Sequence, residues 1–138
     1  QMAFVGYRSE REFCERFDRQ AGESEDFAVQ DYLAHQGRKF VERFDANSYL
    51  RLSRCMNSHD LGRGRGNAQA ALQNIHQPTV VISLENDQLY SFAEQAQLAE
   101  HIPNAVHELI PTRYGHDGFL IETDAMAVIL DRFLSTQC

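Results

Sequence analysis

The chain has 138 residues, enough for one modest domain with a hydrophobic core. Its hydrophobic fraction of 43% argues against disorder, and no run of about 18 apolar residues offers a membrane span. Thirteen Lys and Arg against twenty Asp and Glu give a formal net charge of −7, opposite in sign to the excess that neutralises phosphates in a nucleic-acid binder.

The opening QMAFVGYRSE has no basic stretch leading into a long apolar one, so it does not read as a secretory signal. Met2 sits inside an apolar patch, and the chain is expected to begin within a larger protein. Ser9 and Glu12 then spell a capping box, with Phe13 and Phe17 following at helical spacing. Arg8, Arg11, Arg16 and Arg19 interleave with acids and are expected to form a solvated helix face. After the polar stretch 20–26, FAVQDYLAHQGRKFVERF places Val29, Tyr32, Leu33, Phe40, Val41 and Phe44 as one long amphipathic helix. Gly37 in its middle predicts a bend or a close contact. Beyond DANS, a further helix carries Tyr49, Leu50, Leu52, Cys55 and Met56. Cys14, Cys55 and Cys138 are odd in number and show no CxxC spacing. They read as free thiols of a reducing cytoplasm, with Cys14 and Cys55 packed on apolar helix faces.

At LGRGRGN (61–67) the chain turns flexible. This stretch lacks the Lys-Ser/Thr ending of a phosphate loop and follows no strand. A short helix, NAQAALQNI, precedes Pro78 and TVVISL, a continuous β-branched run suited to a strand of a parallel sheet. A second capping box, Ser91 with Glu94, opens a helix that stops before Pro103. AVHELI (105–110) is a second strand, and from about Asp124 a last helix lines up Met126, Ile129, Leu130, Phe133 and Leu134. Strands alternating with helices predict an α/β fold with parallel strands. The organisation is a helical segment over 1–76, followed by a βαβα unit over 77–138.

In open α/β sheets ligands bind beyond the carboxyl ends of the strands. Two loops fall there: ENDQLYS with Asp87, and PTRYGHDGF with His116. If the strands are neighbours, Asp87 can accept the Nδ1 proton of His116 and fix its tautomer. A surface acid–histidine contact would satisfy the same residues. The third member of a relay is missing, because none of Ser9, Ser24, Ser48, Ser53, Ser58, Ser83, Ser91 and Ser135 stands in a G-x-S-x-G elbow. In α/β-hydrolases the serine precedes the acid along the chain, which would put it before residue 1. His35, His59, His76, His101 and His107 have no metal-ligand spacing, so no metal is expected. His59–Asp60 follows a helix, not a strand.

FVERFDANSYLRLSRCM (40–56), PTVVISLENDQLYS (78–91) and RYGHDGFLIE (113–122) together resemble homoserine O-acetyltransferases, and MAFVGYRSEREFCERF resembles the family's segment leading into its helical lid. The resemblance runs in order along essentially the whole chain, with RFDANSYL and YGHDGFL its most specific parts. It implies the carboxy-terminal part of an α/β-hydrolase fold, with residues 1–76 as a helical lid and 77–138 as part of the core. It further implies acetyl transfer from acetyl-CoA to the L-homoserine hydroxyl by double displacement, a step of methionine biosynthesis. Asp87 would be the acid, His116 the general base, and Asp117 the partner of the substrate ammonium. Tyr7 would offer a substrate-holding hydroxyl.

Acetyl-CoA would be a co-substrate and no other cofactor is implied. The implied partners are an amino-terminal half bearing the serine and a second subunit in a homodimer. The family's substrate-carboxylate arginine would fall just upstream of Gln1, and Ser91 stands where the family often has proline. On the residues alone, Asp117 could instead cap its turn, and Tyr7, beside Phe4 and Val5, could belong to a core. Succinyl transfer, acylation of serine, hydrolysis by an esterase of the same fold, and a catalytically silent binding module are the alternatives. The isolated chain is expected to be inactive.

Overall fold

In the computed structural model, which describes residues 2–23 and 26–136, the first half of the chain is helical and the second half alternates strand and helix. Cys138 and Ser24 lie outside the described residues. Helix α1 spans Met2–Gly6 and α2 spans Glu10–Arg16. Ser9 caps α2, its hydroxyl accepting the Glu12 N–H at 3.2 Å. The reciprocal half of the expected box is replaced. The Glu12 carboxylate faces Arg8 and Arg16 at 3.4 and 3.6 Å, because a carboxylate this buried needs cationic neighbours to offset its lost hydration.

Helix α3, Ala28–Arg43, runs unbroken through Gly37. Asp45 starts α4, Ala46–Asn57, by accepting the Ser48 N–H at 2.8 Å, and Asn67 does the same for α5, Ala68–Gln73. Neither α3 nor α4 buries a residue fully, and Val41, Leu52 and Met56 lie exposed along them. Cys14 and Cys55 are exposed as well, not packed as their helix positions suggested. The packing of these helices is carried by ring contacts of Phe4 with Phe40 and of Phe13 and Phe17 with Tyr32, which leave the rest of their apolar stripes open. Among the described residues before position 60, extended pairing is confined to an isolated antiparallel bridge between Ala21 and Phe27.

The second half follows the strand reading residue for residue. Strand β1, Thr79–Leu84, leads through α6, Phe92–His101, to β2, Ala105–Ile110. The strands are parallel and pair from Thr79 with Ala105 to Leu84 with Ile110. After β2 a short 3-10 turn, Gly115–Asp117, runs into α7, Gly118–Ile121, and then α8, Thr123–Ser135. Alternation along the strands divides their side chains between two faces. On one face Ser83 and His107 hydrogen-bond at 2.6 Å, and Phe92 of α6 lies with its ring 4.8 Å from His107. On the other, Leu84, Ile110 and Ile129 of α8 form the core, with Val80, Ile82, Ala125 and Met126 packed around them. Leu130 and Leu134 are exposed, so the buried stripe of α8 is narrower than its sequence suggested. No helix among the described residues is long and apolar enough to cross a membrane.

Two tests follow from this packing. Ile110 is only 1% exposed, so Ile110→Ala should cost about 2–5 kcal/mol in urea unfolding; a loss below about 1 kcal/mol would contradict its place in the core. Ser91 and Glu94 form a complete capping box, and the Ser91 hydroxyl, then its backbone N–H, hold the Glu94 carboxyl below its ordinary pKa. A carboxyl lowered on folding stabilises above its unfolded pKa and loses that contribution as pH falls through the folded value. Ser91→Ala should therefore raise the Glu94 pKa in an NMR titration, and an unchanged value would contradict the box.

Candidate functional site

Because Leu84 and Ile110 pair at the strand ends, the loops that follow leave from one edge. The Glu85 N–H continues the ladder by donating to Ile110 O at 3.0 Å. Asn86 then turns the chain with φ +61°, a left-handed conformation that Asn tolerates better than most residues. This presents Asp87, whose side chain is 5% exposed. Its Oδ1 accepts the N–H groups of Leu89 and Tyr90 at 2.8 and 3.0 Å. Its Oδ2 lies 2.9 Å from Nδ1 of His116. The structure thus brings the two predicted site residues together.

His116 sits in the 3-10 turn, its side chain 22% exposed. Gly115 makes that turn possible with φ +63°, and a Cβ there would stand 3.0 Å from Ser9 N and 3.2 Å from Asn86 O. The rings of Tyr7, Tyr90 and Phe119 surround the imidazole, with centroids 5.8, 5.4 and 5.4 Å away. Among the described residues Nε2 has no hydrogen-bond partner. With Asp87 accepting at Nδ1, the neutral ring carries its proton on that nitrogen, and Nε2 keeps the lone pair a general base uses. No serine, threonine or cysteine among the described residues hydrogen-bonds to His116, so the nucleophile of a relay is not supplied by them.

Residues 7–9 grip the same turn. The Asp117 N–H donates to Tyr7 O at 3.1 Å, Ser9 donates its hydroxyl to Arg113 O, and Arg8 Nε lies 2.7 Å from Asp117 Oδ2. Asp117 is therefore neither a turn cap nor a wholly solvated group, since its carboxylate faces a cation. Tyr7 is partly buried, with Phe4 on one side at 5.9 Å and His116 on the other. Farther out, Arg113 pairs with Glu15 at 2.9 Å. The Glu15 carboxyl is held below its ordinary value chiefly by the hydrogen bond from Arg11, with Arg113 adding to it.

Sequence reasoning placed Arg8 on a solvated helix face, and the structure corrects this. It precedes α2 and turns inward, because Asp117 and Glu12 both need a cation. Tyr90 and Phe119 were also missed. Their signal was spacing, each three residues after a site residue and so within one turn of it. Among the described residues, no group of three or more His, Cys, Asp or Glu is placed to hold a metal ion.

No protein-family model matches the chain. Curated relatives do match it along nearly its whole length. A homoserine O-acetyltransferase from Salinibacter ruber is 44% identical over 140 residues, covering 99% of this chain and 40% of the relative. Those from Chlorobium chlorochromatii and Clavibacter michiganensis are 43% and 41% identical, covering 97% and 98% of this chain and 38% of each relative. The resemblance carried by RFDANSYL and YGHDGFL is thus borne out, and the chain spans about 40% of the length of the relative it matches from Salinibacter ruber.

The site geometry sets the tautomer of His116. Nitrogen-15 NMR of the neutral ring should report a proton on Nδ1. A proton on Nε2 would contradict the Asp87 contact.

Proposed function

We propose that this chain is the carboxy-terminal part of a homoserine O-acetyltransferase with an α/β-hydrolase core, in which Asp87 and His116 are the acid and base of a serine–histidine–aspartate relay. The observation that carries the reading is the 2.9 Å contact between these two side chains at the carboxyl edge of two parallel strands. The near-complete match to relatives bearing that name supports it. The nucleophilic serine would belong to an amino-terminal half that the relatives' greater length accommodates.

The reaction proceeds in two displacements. His116 Nε2 takes the serine proton as the hydroxyl attacks the thioester carbonyl of acetyl-CoA. The carbon–sulfur bond breaks, and the thiolate leaves with that proton, giving an acetyl-serine. Homoserine then binds, His116 takes the proton of its hydroxyl, and the new oxygen–carbonyl bond forms as the serine ester breaks, returning the proton to serine. Asp87 holds the ring and stabilises its charged state in both halves. Asp117, one residue from the base, supplies an anion for the acceptor's ammonium, and the Tyr7 hydroxyl helps to hold the acceptor. Acetyl-CoA is a co-substrate and no further cofactor takes part.

Transfer to homoserine instead of water requires a site that holds the acceptor and excludes solvent. Residues 1–76 would form that lid above the base, a reading supported by the Tyr7 ring 5.8 Å from His116. The exposed apolar residues of α3 and α4 suit a second subunit, giving a homodimer. The isolated chain, without the serine, would be inactive, since a relay stripped of its nucleophile retains little rate enhancement.

The reading predicts that His116→Ala, in a protein joining this chain to its serine-bearing half, lowers acetyl transfer by about three orders of magnitude or more. Thiol release from acetyl-CoA should accelerate when homoserine is added. Full turnover in the variant would overturn the relay, and equal thiol release with and without homoserine would favour an esterase.

A further inference from the structure

Behind Asp117 lies a row of alternating charges that the proposed mechanism does not use. Arg8 Nε approaches Asp117 Oδ2 at 2.7 Å, and Arg8 Nη1 stands 3.4 Å from Glu12 Oε1. Arg16 reaches that same oxygen at 3.6 Å, from a far more exposed position. The side chains of Arg8 and Glu12 are 20% and 9% exposed. Two atoms in this row are buried without a hydrogen-bond partner among the described residues, Arg8 Nε and Glu12 Oε2. The Arg8–Asp117 contact is therefore a close charge contact in which the Nε–H does not point along a carboxylate lone pair.

The charge balance gives this arrangement a meaning. Asp117 with Arg8 alone would be a neutral pair, and Arg8 would repel an incoming ammonium nearly as strongly as Asp117 attracts it. With the buried Glu12 behind Arg8, the three groups carry one net negative charge. Arg16, its side chain 48% exposed and its guanidinium over the Phe17 and Tyr32 rings, offsets this in part. Arg8 meanwhile fixes the direction of the Asp117 carboxylate, while the Asp117 N–H, bonded to Tyr7 O, fixes its backbone.

We infer that Arg8 and Glu12 are positioning residues for the acceptor's ammonium group: Arg8 holds the Asp117 carboxylate in place, and Glu12 supplies the negative charge that keeps the trio attractive to a cation. This deepens the proposed function and rests on it. It adds a device that sets acceptor affinity and leaves the proton transfers of His116 to Asp87.

The test uses Glu12→Gln, which removes the charge and keeps the shape, in the protein joined to its serine-bearing half. The KM for homoserine should rise about three- to tenfold, with kcat and the KM for acetyl-CoA kept within about twofold. For an acceptor of the same length lacking the amino group, the variant and the parent should not differ. Arg8→Lys keeps the charge but cannot span both carboxylates. It should raise the same constant, and it provides the measurement if the Gln variant fails to fold. An unchanged KM for homoserine in either folded variant overturns the inference. So does a parallel fall in acceptor-independent thiol release, which would mark Arg8 and Glu12 as merely structural. Failure of the underlying relay would show separately, as acetyl transfer that survives loss of His116.

Discussion

Everything at the site depends on one contact, the carboxylate of Asp87 against Nδ1 of His116. The residues are 29 positions apart in the chain, so the contact exists only because β1 and β2 run side by side and end at the same level. Leu84 and Ile110, paired at those ends, also anchor the core against Ile129. Hydrophobic packing therefore sets the height from which both loops depart. Short-range chemistry completes the approach. Asn86 turns the first loop in a left-handed conformation, Gly115 turns the second, and each lies against the other across a gap too small for a side chain at Gly115.

The helical segment adds a second constraint from the opposite side. Tyr7, Arg8 and Ser9 each hold the turn around His116 by a different interaction: a carbonyl, a guanidinium and a hydroxyl. The carbonyl and the hydroxyl make hydrogen bonds, and the guanidinium makes the charge contact that links Asp117 to Glu12. A single tripeptide thus couples the position of His116 to the start of α2. The same helical segment leaves α3 and α4 with apolar side chains in the open.

Much of this was legible in the sequence, for reasons that differ by residue. TVVISL and AVHELI read as strands because β-branched residues dominate them and turn signals bound them, and both are local properties. The Ser91–Glu94 box was legible because its two partners lie within one turn. The Asp87–His116 pair needed one further step, the rule that parallel strands deliver their following loops to one edge. What failed was side-chain direction where no local rule decides it. Arg8 sits in a stretch of alternating charge that looks solvated, yet two carboxylates brought in by the fold draw it inward. Glu12 matched a capping box and turned instead to cations, since its burial is a tertiary property. Cys14 and Cys55 stand beside apolar residues in sequence, yet the fold leaves both exposed.

The central claim is that Asp87 and His116 act as one unit on the reacting proton. A double-mutant cycle measures this directly, comparing Asp87→Asn, His116→Ala and the pair of changes in acetyl transfer by the protein joined to the proposed serine-bearing half. If the two act as a unit, the double variant should be no slower than His116→Ala alone, within about twofold. Losses that simply multiply would mean the two residues contribute independently, and the account would be contradicted.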